Sequence, residues 1–135
     1  MAAQACGIQT VAFCEIEPFP VSILKKRFPG VPIFSDVREV TRESLNVLPR
    51  RAGDANDEAD RNPVDVVFGG FPCQDLSVAG RKAGLEGERS GLWFEMLRIV
   101  RNIRPRYVLA ENVRGAITLA LDTVTAGLEG AGYEV

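Results

Sequence analysis

Apolar positions along this chain fall into two kinds of run. Dense stretches rich in β-branched and aromatic residues occupy 8–16, 31–34, 64–68 and 106–110. Such runs suit strands covered on both faces, as in a parallel sheet. Between them the apolar residues space out at helical intervals. Val21, Leu24 and Phe28 follow Pro18, which suits a first helical position, and predict a helix over 18–28. Leu92, Met96, Ile99 and Ile103 predict a second helix that stops before Pro105. Ile117, Leu121, Val124 and Leu128 predict a third, closed by Gly130 and Gly132. Residues 2–6 read as a last helical turn ended by Gly7, residues 41–48 as a short helix, and Tyr133 to Val135 as the opening of another strand.

Strands alternating with helices define an α/β fold with a mainly parallel sheet. A chain of 135 residues with 46% hydrophobic content is expected to form one domain with a real core. Residues 50–63 carry both charge signs without periodicity and predict a surface loop. Gly80, Gly84 and Gly87 mark residues 74–90 as a loop able to move. No internal repeat is present.

Composition narrows the chemistry. A net charge of −2 gives no global attraction to nucleic acid, so contact with a polyanion requires a local basic patch. No run is long and apolar enough for a membrane span, and no signal peptide opens the sequence. Cys6, Cys14 and Cys73 lack the spacing of a zinc site or a disulfide framework; the pattern suits a reducing cytoplasm and predicts no metal. The chain has no histidine, which excludes a Cys-His or Ser-His-Asp hydrolase built from this chain alone.

The reactive residues cluster by position. In an open parallel sheet, ligands bind beyond the carboxyl ends of the strands. Glu15, Asp36, Cys73 and Glu111 all stand at or just past such ends. Pro72 fixes its own φ and biases Phe71 toward extended backbone, which stiffens the approach to Cys73. A lone cysteine is most often buried and inert. Cys73 differs because Pro72-Cys73-Gln74 is followed, one strand later, by Glu111-Asn112-Val113.

These motifs, with the segment SGLWFEMLRIV between them, carry a resemblance. The chain resembles the carbon-5 cytosine-specific DNA methyltransferases of bacterial or phage type, almost end to end and most strongly over residues 64–113. The resemblance implies a Rossmann-like S-adenosylmethionine-dependent methyltransferase fold, with double-stranded DNA as partner. It makes Cys73 the nucleophile that adds to carbon 6 of a flipped-out cytosine, so that carbon 5 accepts a methyl group. Glu111 would hold the cytosine N3 and amino edge, with Pro72 and Asn112 positioning the site.

The same resemblance assigns the cofactor residues. Glu15 would bind the ribose hydroxyls and Ile16 the adenine face. Asp36 would accept from the adenine amino group, with Val37 alongside. Phe71 and Leu92 are further candidates for that pocket. Gln74, Ser77, Arg81, Lys82 and Arg89 would contact DNA phosphates, which position a duplex without reading its sequence. Cys6 and Cys14 are read as structural, Trp93 and Phe94 as packing residues, and Arg98, Arg101 and Arg104 as helix-end cations.

The family also carries a glycine-rich cofactor loop before the first helix, an arginine-bearing motif, a target recognition domain and two closing motifs. The resemblance therefore implies that residues 1–135 are an internal part of a catalytic domain, with one strand expected between those at 8–16 and 64–68. A complementing polypeptide carrying the remaining motifs is a possible partner, and by itself the chain is expected to be inactive. The alternatives are a non-catalytic remnant or one subunit of a split enzyme, and, more distantly, an RNA cytosine methyltransferase.

Overall fold

A computed structural model describes residues 5–46, 64–71, 91–112 and 114–135. It divides into two compact units, Met1–Pro63 and Val64–Val135. Each holds one pair of parallel strands. The architecture is thus mixed α/β, as the alternation predicts.

In the first unit, β1 (Phe13–Cys14) pairs in parallel with β2 (Ile33–Phe34). Helix α1 (Pro18–Arg27) connects them. Pro18 and Pro20 fall in its first turn, where a missing N–H costs nothing. Lys25, Lys26 and Arg27 fill its last turn, where cations complement the helix dipole. The predicted face is the half-buried one: Val21, Leu24 and Phe28 are partly covered, while Phe19 on the other side is exposed. The Phe28 ring lies 5.0 Å from that of Phe13. Pro29-Gly30 then turns the chain. Gly30 takes φ 82°, and the Val31 N–H donates to the Phe28 carbonyl, the pattern of a turn needing glycine at its third position.

Sequence reading overestimates β1. Residues 8–16 look uniformly strand-like, but only two residues pair, because the partner is short. β2 begins immediately after Pro32, which has no N–H to donate. Beyond β2, Asp36 caps a 3₁₀ turn (Val37–Glu39), and α2 (Arg42–Asn46) follows. Thr41 and Ser44 cap α2 reciprocally: the Ser44 N–H donates to Thr41 Oγ1 and the Thr41 N–H to Ser44 Oγ. Val40 and Leu45 are the buried apolar residues here.

The second unit is a strand–helix–strand–helix succession: β3 (Val66–Gly70), α3 (Gly91–Ile103), β4 (Tyr107–Glu111) and α4 (Arg114–Glu129). β3 and β4 pair in parallel, Val66 opposite Tyr107 through Gly70 opposite Glu111. The core gathers Phe71, Trp93, Met96, Leu97, Val100, Leu128 and Ala131, with Val67, Val108, Val124 and Tyr133 against it. Trp93 and Val100 are fully buried. Trp93 thus packs as expected, whereas Phe94 is half exposed on the other side of α3.

The ends of α3 and α4 are tied together. Arg104 takes φ 58°, unusual for a side-chain-bearing residue, and its Nη1 donates to the Ala131 carbonyl at 2.6 Å. Gly132, at φ 90°, closes α4: its N–H reaches the Glu129 carbonyl while that of Tyr133 reaches Leu128. The Tyr133 hydroxyl donates to the Pro105 carbonyl at 2.7 Å. Residues 133–135, expected to open a strand, pair with no strand among the described residues. Tyr133 serves the helix end and the core instead. The predicted loops at 50–63 and 74–90 lie outside the described residues.

Candidate active site

The second unit carries the approach to the predicted nucleophile. Sequence reading ends the strand at residue 68, but the structure carries β3 through Gly69 and Gly70. The parallel ladder with β4 continues that far. At Gly69 a Cβ would sit 3.1 Å from Met96 Sδ, so strand and helix approach closely there. Phe71, the first residue past β3, is buried, and its ring packs 5.1 Å from Trp93 at 52°. The backbone entering Pro72-Cys73 is therefore anchored in the core through an aromatic pair.

Glu111 ends β4 opposite Gly70. Its side chain is exposed at the carboxyl edge of the pair, and Asn112 follows, half-buried. Leu92, in the first turn of α3, is 41% exposed. Cys73, Pro72, Gln74, Ser77, Arg81, Lys82 and Arg89 lie outside the described residues.

The first unit brings together the carboxylates predicted for the cofactor. Because β1 and β2 are parallel, their carboxyl ends coincide. Glu15 directly follows β1, and its N–H donates to the Phe34 carbonyl at 2.9 Å. Its Oε1 accepts from the Glu17 N–H at 2.8 Å. Ile16, beside it, is 75% exposed, and Val37 is half-buried. Asp36 Oδ1 accepts the Arg38 backbone N–H at 2.9 Å. The Arg38 guanidinium embraces both carboxylate oxygens, with Nε at 3.0 and 3.1 Å and Nη2 at 2.7 Å. These Arg38 bonds, side chain first and backbone second, hold the Asp36 carboxyl below its ordinary range.

Cys14 sits on this same edge. It keeps solvent access, yet partial desolvation raises its thiol pKa, and the Asp36, Glu15 and Glu39 carboxylates add to the rise. It is thus held as a thiol, the opposite of an activated nucleophile. Among the described residues no group of His, Cys, Asp and Glu could hold a metal ion, and no helix is long and apolar enough to cross a membrane.

The donor set on this edge fits the adenosine end of S-adenosylmethionine. Two carboxylates accept from hydroxyl and amino groups, and Ile16 offers an apolar surface for a ring. Sequence reading missed Arg38. Its only signal is an arginine two residues after a turn-capping aspartate.

The whole chain, residues 1–135, matches the family model for C-5 cytosine-specific DNA methylases. The protein belongs to that family. It is 37% identical over 135 residues to the type II methyltransferase M2.BsuMI of Bacillus subtilis, covering 94% of this chain and 30% of that protein. It is 33% identical to M.Eco47II of Escherichia coli, covering 96% and 29%. With M.CviJI of Paramecium bursaria Chlorella virus IL3A the identity is 31%, covering 94% and 31%. The chain thus spans about three tenths of the length of these relatives.

Proposed function

We propose that residues 1–135 form part of the catalytic domain of a DNA cytosine-5 methyltransferase with a Rossmann-like fold, acting on double-stranded DNA in company with the sequence that completes its relatives. The observation that supports this most is the register of β3 and β4. Gly70 stands opposite Glu111, so the strand leading into Pro72-Cys73 ends beside the strand that ends in Glu111. The strand that leads toward Cys73 and the strand that carries Glu111 thus end on one edge from distant points in the sequence.

In this reading Cys73 attacks carbon 6 of an extruded cytosine, forming a C–S bond and moving electron density toward carbon 5. Glu111 holds N3 and the amino group, favouring protonation at N3 as the thiolate adds. S-adenosylmethionine, when bound, supplies an electrophilic methyl group. Loss of the carbon-5 proton and cleavage of the C–S bond then return Cys73 as thiolate. Glu15 and Asp36 hold the adenosine, with Ile16 and Val37 against its ring. Phe71, locked on Trp93, fixes the backbone that presents Cys73, which matters because small misplacements of reacting groups cost orders of magnitude in rate. Gln74, Ser77, Arg81, Lys82 and Arg89 steady the duplex.

The test uses the chain completed with the segments its relatives carry, S-adenosylmethionine, and duplex DNA containing 5-fluorocytosine. Fluorine blocks the final elimination, so a covalent protein–DNA complex accumulates. Cys73→Ala forms none. An equal yield from Cys73→Ala would refute the assignment.

A further inference from the structure

We infer that Arg38 competes with the cofactor's adenine amino group for Asp36, so that adenosine binds by exchange. The inference rests on the assignment of Asp36 to the adenosine end of the cofactor. A carboxylate offers about four lone-pair positions. At Asp36 three N–H groups engage them: the Arg38 backbone N–H on Oδ1, the single Nε–H shared between Oδ1 and Oδ2, and Nη2 on Oδ2. An incoming amino group has to share the carboxylate with a guanidinium fork that already spans both oxygens. It gains the stronger bond when a guanidinium bond opens.

The two kinds of Arg38 bond differ in what they serve. The backbone N–H caps the 3₁₀ turn and holds the carboxylate in place. The side chain is 77% exposed and reaches back from solvent. It can swing away without disturbing the turn. Asp36 thus stays capped while its outer oxygen changes partner. Arginine matters here because its planar fork engages both oxygens at once, which a lysine ammonium does not do. The competing pair is exposed, so its opening costs little, and exchange stays reversible.

Arg38 therefore tunes affinity for one chemical group, the 6-amino group of the purine. A ligand without that group makes no demand on Asp36 and leaves the guanidinium where it is. This separates the inference from a general effect of charge or folding.

The experiment titrates adenosine, S-adenosylhomocysteine and purine riboside, which lacks the amino group, into the chain completed with the segments its relatives carry. Binding is followed by calorimetry and by the ¹⁵N NMR signal of Arg38 Nε–H. With adenosine and S-adenosylhomocysteine, Arg38→Ala tightens binding roughly 1.5- to 5-fold, the range of an exposed ion pair. Arg38→Lys falls between, and the Nε–H signal of the native chain moves as the site fills. With purine riboside, Arg38→Ala changes nothing and the signal stays. If Asp36→Asn weakens adenosine binding while Arg38→Ala leaves it unchanged or weaker, the exchange is wrong and the Asp36 assignment stands. If adenosine does not bind, or Asp36→Asn has no effect, the assignment fails and the inference with it.

Discussion

The aromatic pair Phe71–Trp93, next in sequence to Pro72-Cys73, should be energetically coupled, and that coupling should reach the chemistry. Trp93 is fully buried and Phe71 nearly so, with ring centroids 5.1 Å apart. Truncating a buried aromatic to alanine costs about 3–5 kcal/mol. That is a large share of the roughly 5–15 kcal/mol that stabilises a domain, so milder changes are needed. Phe71→Leu and Trp93→Leu keep apolar volume and should each cost about half as much, roughly 1.5–2.5 kcal/mol. The tilted contact adds about 0.5–1.5 kcal/mol beyond burial. The double variant should therefore lose that much less than the sum of the singles.

Urea unfolding followed by far-UV circular dichroism measures the cycle, since Trp93 is the chain's sole tryptophan and cannot serve as probe in its own variant. Val100→Ala supplies a control. It too is fully buried in the same cluster, but it does not adjoin the loop in sequence. In the completed enzyme, Phe71→Leu should slow 5-fluorocytosine trapping more than Val100→Ala does at matched stability, because Phe71 lies two residues before Cys73. Additivity within about 0.3 kcal/mol, together with equal trapping rates, would refute the argument that Phe71, held by Trp93, anchors the backbone entering Pro72-Cys73.

Two further outcomes are expected. Gly127→Ala should destabilise the chain by about 0.5–2 kcal/mol: a Cβ there meets Trp93 Cζ2 at 3.1 Å and Leu97 Cδ2 at 3.2 Å, and overpacking outweighs the helix-propensity gain; a raised melting temperature would contradict this. Burial lifts the Tyr133 phenol above its ordinary pKa, with the Arg104 charge opposing. A raised folded pKa means its contribution is intact below the unfolded value of about 10 and is lost as pH rises through the higher folded value. Tyr133→Phe should therefore cost about 0.5–1.5 kcal/mol at neutral pH and flatten the alkaline loss of stability, as read from unfolding curves between neutral and alkaline pH.

Helices were more legible in the sequence than strand ends, for a physical reason. A helix buries a stripe set by its own periodicity, so α3 could be read from Met96, Ile99 and Ile103. The reading still began one position off. Leu92 is exposed at the rim, while Met96, Ile99 and Ile103 are buried as read, joined by Trp93, Leu97 and Val100. A strand ends where its partner ends, and the partner is not visible from within the run. Residues 8–16 are apolar enough for a long strand, yet β2 supplies only two pairing residues. Conversely, Gly69 and Gly70 look like a loop, yet β4 holds them in register. Tyr133 misled in a third way. An aromatic before a glutamate and a valine reads as a strand, but the preceding Gly132 bends the chain so that its ring packs the core and its hydroxyl holds Pro105.

The site was legible where its chemistry depends on residue type and illegible where it depends on reach. Glu15 and Asp36 could be placed together because the parallel strands β1 and β2 end on one edge, and Glu111 could be placed at the carboxyl end of β4 by the same rule. Arg38 has no such signature. A surface arginine two residues from an aspartate is ordinary in any turn, and periodicity does not mark it. Its importance comes from the cap. Because the Arg38 N–H fixes the Asp36 carboxylate, the guanidinium of the same residue is delivered to both oxygens at 2.7–3.1 Å. The backbone that prepares Asp36 to accept a ligand thus also supplies its competitor. A side chain at that position without a bidentate donor would leave the turn capped and one carboxylate oxygen unclaimed. In the proposed exchange, the identity of residue 38 sets how readily Asp36 is released, while the fold sets only where Asp36 stands.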